Sequence, residues 1–81
     1  MTRLDPTAAA LDVKRTATLL RDARAVLRRI DVLAATALAV DDPALPAIAE
    51  LRSSAERLVA HLAHREQAQQ RQARQAVRRV R

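Results

Sequence analysis

No glycine occurs anywhere in the 81 residues, and that absence constrains the fold more than any residue present. Tight hairpin turns and bulges need backbone at positive φ, which glycine supplies at least cost, so β-hairpin architectures are hard to build here. Other helix breakers are just as sparse. Prolines stand only at 6, 43 and 46, so residues 7–42 contain nothing that stops a helix. Ala, Leu, Arg and Gln dominate the chain, and all four are good helix formers. The fold class that follows is all-α.

Asp5-Pro6 reads as a helix start, because an Asp side chain caps free N–H groups and Pro fits the first helical position. The next break is Asp41-Asp42-Pro43. A residue before Pro is pushed out of the helical region, and two carboxylates sit badly at a helix C-terminus. The spacing predicts a first helix over about 6–40, a turn at 41–43 with Asp42 as the second cap, and a second helix over about 44–79 with a frayed C-terminal end. Pro46 falls in the first turn of that helix, where a missing N–H costs little. So short a connection makes the helices antiparallel neighbours. Residues 1–81 then form one helical-hairpin domain.

On the first helix the apolar residues Leu19, Ala23, Val26, Ile30, Leu33, Ala37 and Val40 alternate by fours and threes, widened by Leu20, Leu27, Ala34 and Leu38. The second helix offers Ile48, Leu51, Ala55, Leu58 and Leu62, widened by Val59. Such spacing is heptad-like, with a face broader than a two-position stripe. One partner helix does not cover a face that wide, and two isolated helices bury too little apolar surface to offset their ordering entropy. The expectation is a four-helix bundle or coiled-coil-like complex, a homo-oligomer or a hairpin packed on a protein partner. Its interface would be Leu19, Ala23, Val26, Ile30, Leu33, Ile48, Leu51, Leu58 and Leu62. Val13 and Val32 lie off this seam and would mark a second contact surface. Antiparallel pairing also leaves the turn end well packed and the end with both termini thin.

Charge supplies a second line of inference. The chain carries +6, and residues 67–81, QAQQRQARQAVRRVR, hold five of its fifteen basic side chains. At 100° per residue, Arg71, Arg74, Arg78 and Arg81 share one sector of a helix. Three readings of that row stand side by side. It is the solvated face of a helix end, a ladder of guanidiniums for the phosphates of RNA or DNA, or a contact for an acidic protein partner or membrane surface. Arg outnumbers Lys fourteen to one, a bias that raises basicity throughout. Arg21, Arg24 and Arg28 form a similar outward row on the first helix.

The residues for catalysis are missing. There is no Cys for a disulfide or thiolate metal site, and no Phe, Tyr or Trp for a base-stacking platform. A Gly-rich phosphate loop is excluded outright. His61 and His64 are three apart, but two His alone make a weak metal site, and Glu66 is poorly placed as a third ligand. Ser53 and Ser54 have no adjacent base. No catalytic residue, metal ligand or cofactor is expected. Arg28 with Asp31, and Glu50 with Ser54, sit at helical contact spacing and would trim the surface. No apolar run has signal-peptide character, and the longest, Val32–Val40, is about half a membrane span. These features give a cytoplasmic protein without a transmembrane segment as the expectation.

The stretch DDPALPAIAEL at 41–51 resembles the turn of the small needle subunits of type III secretion systems. The matching positions are Asp42, Pro43, Ala44, Leu45, Ala49, Glu50 and Leu51, with Pro46 similar to a second Pro in some members. The resemblance implies a hairpin that packs into a filament or, in this apparatus, a small helical co-chaperone. Needle subunits usually carry aromatics in the second helix and an apolar C-terminus, whereas this chain has no aromatics and ends in an Arg-rich run. A co-chaperone accommodates both departures. In shape alone, the chain is also similar to plasmid-type RNA-binding hairpins that dimerise into four-helix bundles.

Overall fold

A computed structural model describes residues 6–80 as two helices, α1 (Pro6–Ala39) and α2 (Leu45–Val80), packed antiparallel in a rod of 60 × 18 × 17 Å. The protein is an all-α helical hairpin, and no strand occurs among the described residues. Asp5, expected as the first cap, and Arg81, expected in the basic row, lie outside the described residues.

The turn solves the missing-glycine problem with an aspartate. Asp41 takes φ 51°, the left-handed conformation that most often ends a helix at Gly and that Asp tolerates better than most residues. Its N–H donates to the Leu38 carbonyl at 3.2 Å, and the Asp42 N–H donates to the Ala37 carbonyl at 2.9 Å. This nested pair is a Schellman motif, and it satisfies two of the carbonyls left open at the end of α1. The next residue starts α2: Asp42 Oδ1 accepts from the Ala44 N–H at 2.8 Å, so Asp42 is the cap that Pro43 implied. Asp41 and Asp42 therefore do different work, one bending the chain and the other capping.

The core runs as two clusters along the interface. Leu20, Ala23 and Leu62 pack with Val59 and Ala63, and nearer the turn Ile30, Ala37 and Ile48 pack with Ala34, Leu45 and Ala55. Facing residues such as Leu20 and Leu62, Ala23 and Val59, or Ala34 and Ile48 have numbers that sum to 82. The same register pairs Ala37 with Leu45 and Leu27 with Ala55. The buried and half-buried positions 16, 20, 23, 27, 30, 34 and 37 on α1 step by fours and threes, the heptad spacing of an antiparallel coiled coil.

This seam is displaced from the one the sequence pattern suggests. Ala23, Ile30 and Ala37 belong to both, but Leu19, Val26, Leu33 and Val40 stand on one flank, and Thr16, Leu20, Leu27 and Ala34 complete the true seam. On α2, Ile48, Ala55 and Leu62 face α1 as expected, joined by Leu45, Arg52 and Val59, while Leu51 and Leu58 stand aside. The physical reason is size matching. In most layers a small residue on one helix meets a larger one on the other, while Leu20 meets Leu62 directly. Val13 is not part of a second surface, since it is half-buried in the register position opposite Gln69.

Beyond Leu20 and Leu62 the layers turn polar: Thr16, 2% exposed, is paired by the register with half-buried Glu66, and Val13 with Gln69. Gln69 Oε1 is enclosed without a hydrogen-bond partner, an arrangement that costs stability. The end carrying both termini is thus the thinner one. Asp41→Gly is expected to raise stability by up to ~1 kcal/mol and Asp41→Val to lower it by about 1–2 kcal/mol, both read from thermal unfolding by circular dichroism.

Candidate interaction surfaces

The hairpin has two flanks, one on each side of the seam. Reversing a helix mirrors its wheel, so in an antiparallel pair the residues that precede seam positions 20, 27 and 34 share a side with those that precede 52 and 59. These are Leu19, Val26 and Leu33 from α1 and Leu51 and Leu58 from α2. Each is 49–52% exposed. Val40, one heptad beyond Leu33, extends the row and is 68% exposed. The result is a continuous aliphatic strip of roughly 30 Å, at 1.5 Å rise per residue.

The other flank is mostly polar or small. It carries Arg24, Asp31 and Glu56, along with Ala17, Ala49 and Ala63, and one large aliphatic residue, Leu38, 69% exposed near the turn. Arg52, on the seam opposite Ile30, sends its Nε to Asp31 Oδ1 at 2.6 Å and lies 3.3 Å from Glu56 Oε1. This is the one interhelix ion pair among the described residues. All three groups are about half exposed, so the network is worth about 0–1 kcal/mol and acts mainly to fix register. Arg28 therefore does not hold Asp31, because antiparallel packing brings a closer arginine from α2. Ser54 likewise pairs with Arg57, whose Nη2 donates to its Oγ at 3.1 Å, rather than with Glu50.

The expected interface residues separate into two groups. Ala23, Ile30, Ile48 and Leu62 are buried inside the hairpin itself, whereas Leu19, Val26, Leu33, Leu51 and Leu58 line the open strip. Of the expected basic row, Arg71, Arg74 and Arg78 are all exposed and point away from α1 in the wheel. Arg65 differs: it follows Leu58 on the strip side, is half-buried, and has its Nε enclosed without a hydrogen-bond partner. Arg52 and Arg65 were invisible as special positions in the sequence.

His61 and His64 are both exposed, and no group of three or more metal-ligating side chains occurs among the described residues. Two surface depressions are open and shallow, one lined by Ala49, Glu50, Ser53, Ser54 and Arg57, the other by Ala25, Arg28, Arg29 and Val32. Val32 faces outward at 68% exposure. No described helix is long and apolar enough to cross a membrane.

Comparison with protein-family models, curated proteins and solved structures finds no match. The likeness at residues 41–51 therefore rests on those residues alone. If the seam is as described, Ile30→Asp buries a carboxylate inside the hairpin and should abolish helicity at 222 nm at every protein concentration, a loss of at least ~3 kcal/mol.

Proposed function

We propose that this hairpin is a non-enzymatic assembly module, which works by burying the strip of Leu19, Val26, Leu33, Val40, Leu51 and Leu58 against another helical surface, its own copy or a protein partner. One observation carries the reading. After the hairpin closes its own seam, six large aliphatic side chains remain 49–68% exposed in one row, with no charge interrupting them. A contiguous patch on the order of 500 Å² is at the upper end for a monomer and marks an interaction surface. The opposite flank supplies the internal contrast, with Leu38 its single large aliphatic residue among the described residues. A small cytoplasmic component or chaperone of a secretion apparatus, as the turn resemblance implies, is one setting for such a module.

Assembly makes thermal stability depend on protein concentration. The wild-type melting temperature is expected to rise across a hundredfold concentration series. Leu33→Asp should flatten that series, while Val32→Asp, on the adjacent but outward-facing residue, should leave it unchanged. A heat-stable helical monomer indifferent to Leu33→Asp would overturn the assembly reading.

A second reading, nucleic-acid binding, draws on the exposed row of Arg71, Arg74 and Arg78. Three guanidiniums on an outward helix face fit sequence-tolerant phosphate contact. With no Trp or Tyr, the pure protein absorbs almost nothing at 280 nm, so bound nucleic acid would show as a salt-sensitive 260 nm band. Arg74→Glu should weaken binding and reduce the salt slope by about one, with the melting series unaltered. No detectable binding to RNA or duplex DNA at low salt removes this reading.

A further inference from the structure

The strip and the charge distribution together specify what covers it. Residues 30–52, the half of the hairpin nearer the turn, contain Asp31, Asp41, Asp42, Glu50 and one arginine, net −3, so the remainder carries +9 to give the chain's +6. The hairpin is an electric dipole along its length. The apolar strip lies toward the turn end, centred between Val26 and Leu33, with twelve residues of α1 (6–17) extending beyond it at the other end.

We infer, resting on the assembly reading above, that the occupant of the strip is a second copy of the same hairpin laid antiparallel to the first, turn against tail, with the two-fold axis between Val26 and Leu33. That axis sets Leu33 against Val26 of the second copy and Val40 against Leu19 of the second copy. It lays the acidic half of each copy over residues 18–29 and 53–64 of the other. Those segments hold five arginines against Asp22 and Glu56, net +3. Arg65, the first residue past the apolar strip on α2, comes to the level of Asp41 and Asp42 of the second copy. The opposite pairing, with both turns at one end, stacks −3 on −3 and the arginine-rich tails on each other, and like charges so apposed are unfavourable.

Area and composition agree with this occupant. Two strips on the order of 500 Å² each bury about 1,000 Å², the lower threshold of a specific interface. A two-fold contact uses the same patch twice, as an uninterrupted aliphatic row permits. The segments left overhanging are those whose layers have already turned polar at Thr16, Glu66 and Gln69, where no apolar flank asks for cover. Each pair of basic tails then projects from opposite ends of the bundle.

The test uses the whole chain. It has no Cys, so Arg15→Cys, on an exposed position of the overhang, accepts a single nitroxide label. Size-exclusion with light scattering should give twice the 8.9 kDa chain mass. Pulsed dipolar spectroscopy should give a label separation of about 45 Å, against about 20 Å for turns at the same end, from the helical rise and bundle width. A dimer with the short distance, or a larger assembly, overturns the antiparallel pair while leaving the assembly module intact. A weakly helical monomer overturns the second copy as occupant and leaves a foreign partner. A heat-stable helical monomer overturns both.

Discussion

The pairing of small seam residues with large ones is the constraint on which the rest of the molecule depends. Ala34 opposite Ile48, Ala37 opposite Leu45, and Leu27 opposite Ala55 fill the interface between two helices with one large side chain per layer. An interface filled that way has no room for the remaining leucines. Leu19, Leu33, Leu51 and Leu58 are consequently displaced to one edge, where each keeps about half its surface in water. A seam phased on those leucines would keep Ala23, Ala37 and Ala55 but put Leu33 where Ala34 stands and leave Leu20 and Leu27 at the edge. The hairpin closes on a mixture of small and large residues and leaves Leu19, Leu33, Leu51 and Leu58 at its edge.

Electrostatics divides the same rod differently. The turn needs an acidic residue twice, once because Asp tolerates the left-handed bend and once because a carboxylate caps α2. Those local requirements place two negative charges at the apolar end, while the arginines of α2 beyond Leu62 accumulate at the other. The charge gradient is therefore partly a consequence of how a glycine-free chain turns. It gives the rod a direction, and a directed rod with one sticky edge discriminates between its two ways of pairing.

Much of this was legible in the sequence. The helix limits, the cap at Asp42 and the thinning toward the termini follow from breakers and composition, and the structure places α1 and α2 within about a residue of those limits. The phase of the seam was not legible from one helix. Residues 19 and 20, 26 and 27, and 33 and 34 are all adjacent apolar pairs, so two seams one residue apart fit the heptad about equally well. Only the facing helix decides between them, through Ile48 and Leu45 demanding alanine opposite. The register ion pair of Arg52 was hidden for the same reason: a charge on a seam position looks like a flaw until Asp31 and Glu56 are seen on either side of it. The arginines at 71, 74 and 78 gained a fixed outward direction, but a solvated face and a phosphate ladder share that geometry.

The position of the polar layers explains why these two surfaces can coexist. Past Leu20 and Leu62, the packing of α2 against α1 relies on Thr16, Glu66 and Gln69, one of whose oxygens has no partner. The exposed strip ends at about the same level, where the next heptad positions on its side are Asp12 on α1 and Arg65 on α2. The strip is thus confined to the turn half, and Arg71, Arg74 and Arg78, on the outward face, stay in water whatever covers it. The unsatisfied layer near Gln69 is thus the boundary between a half that buries surface and a half that presents charge. A substitution that made that layer apolar would stabilise the hairpin and leave both surfaces in place, because neither lies on the seam.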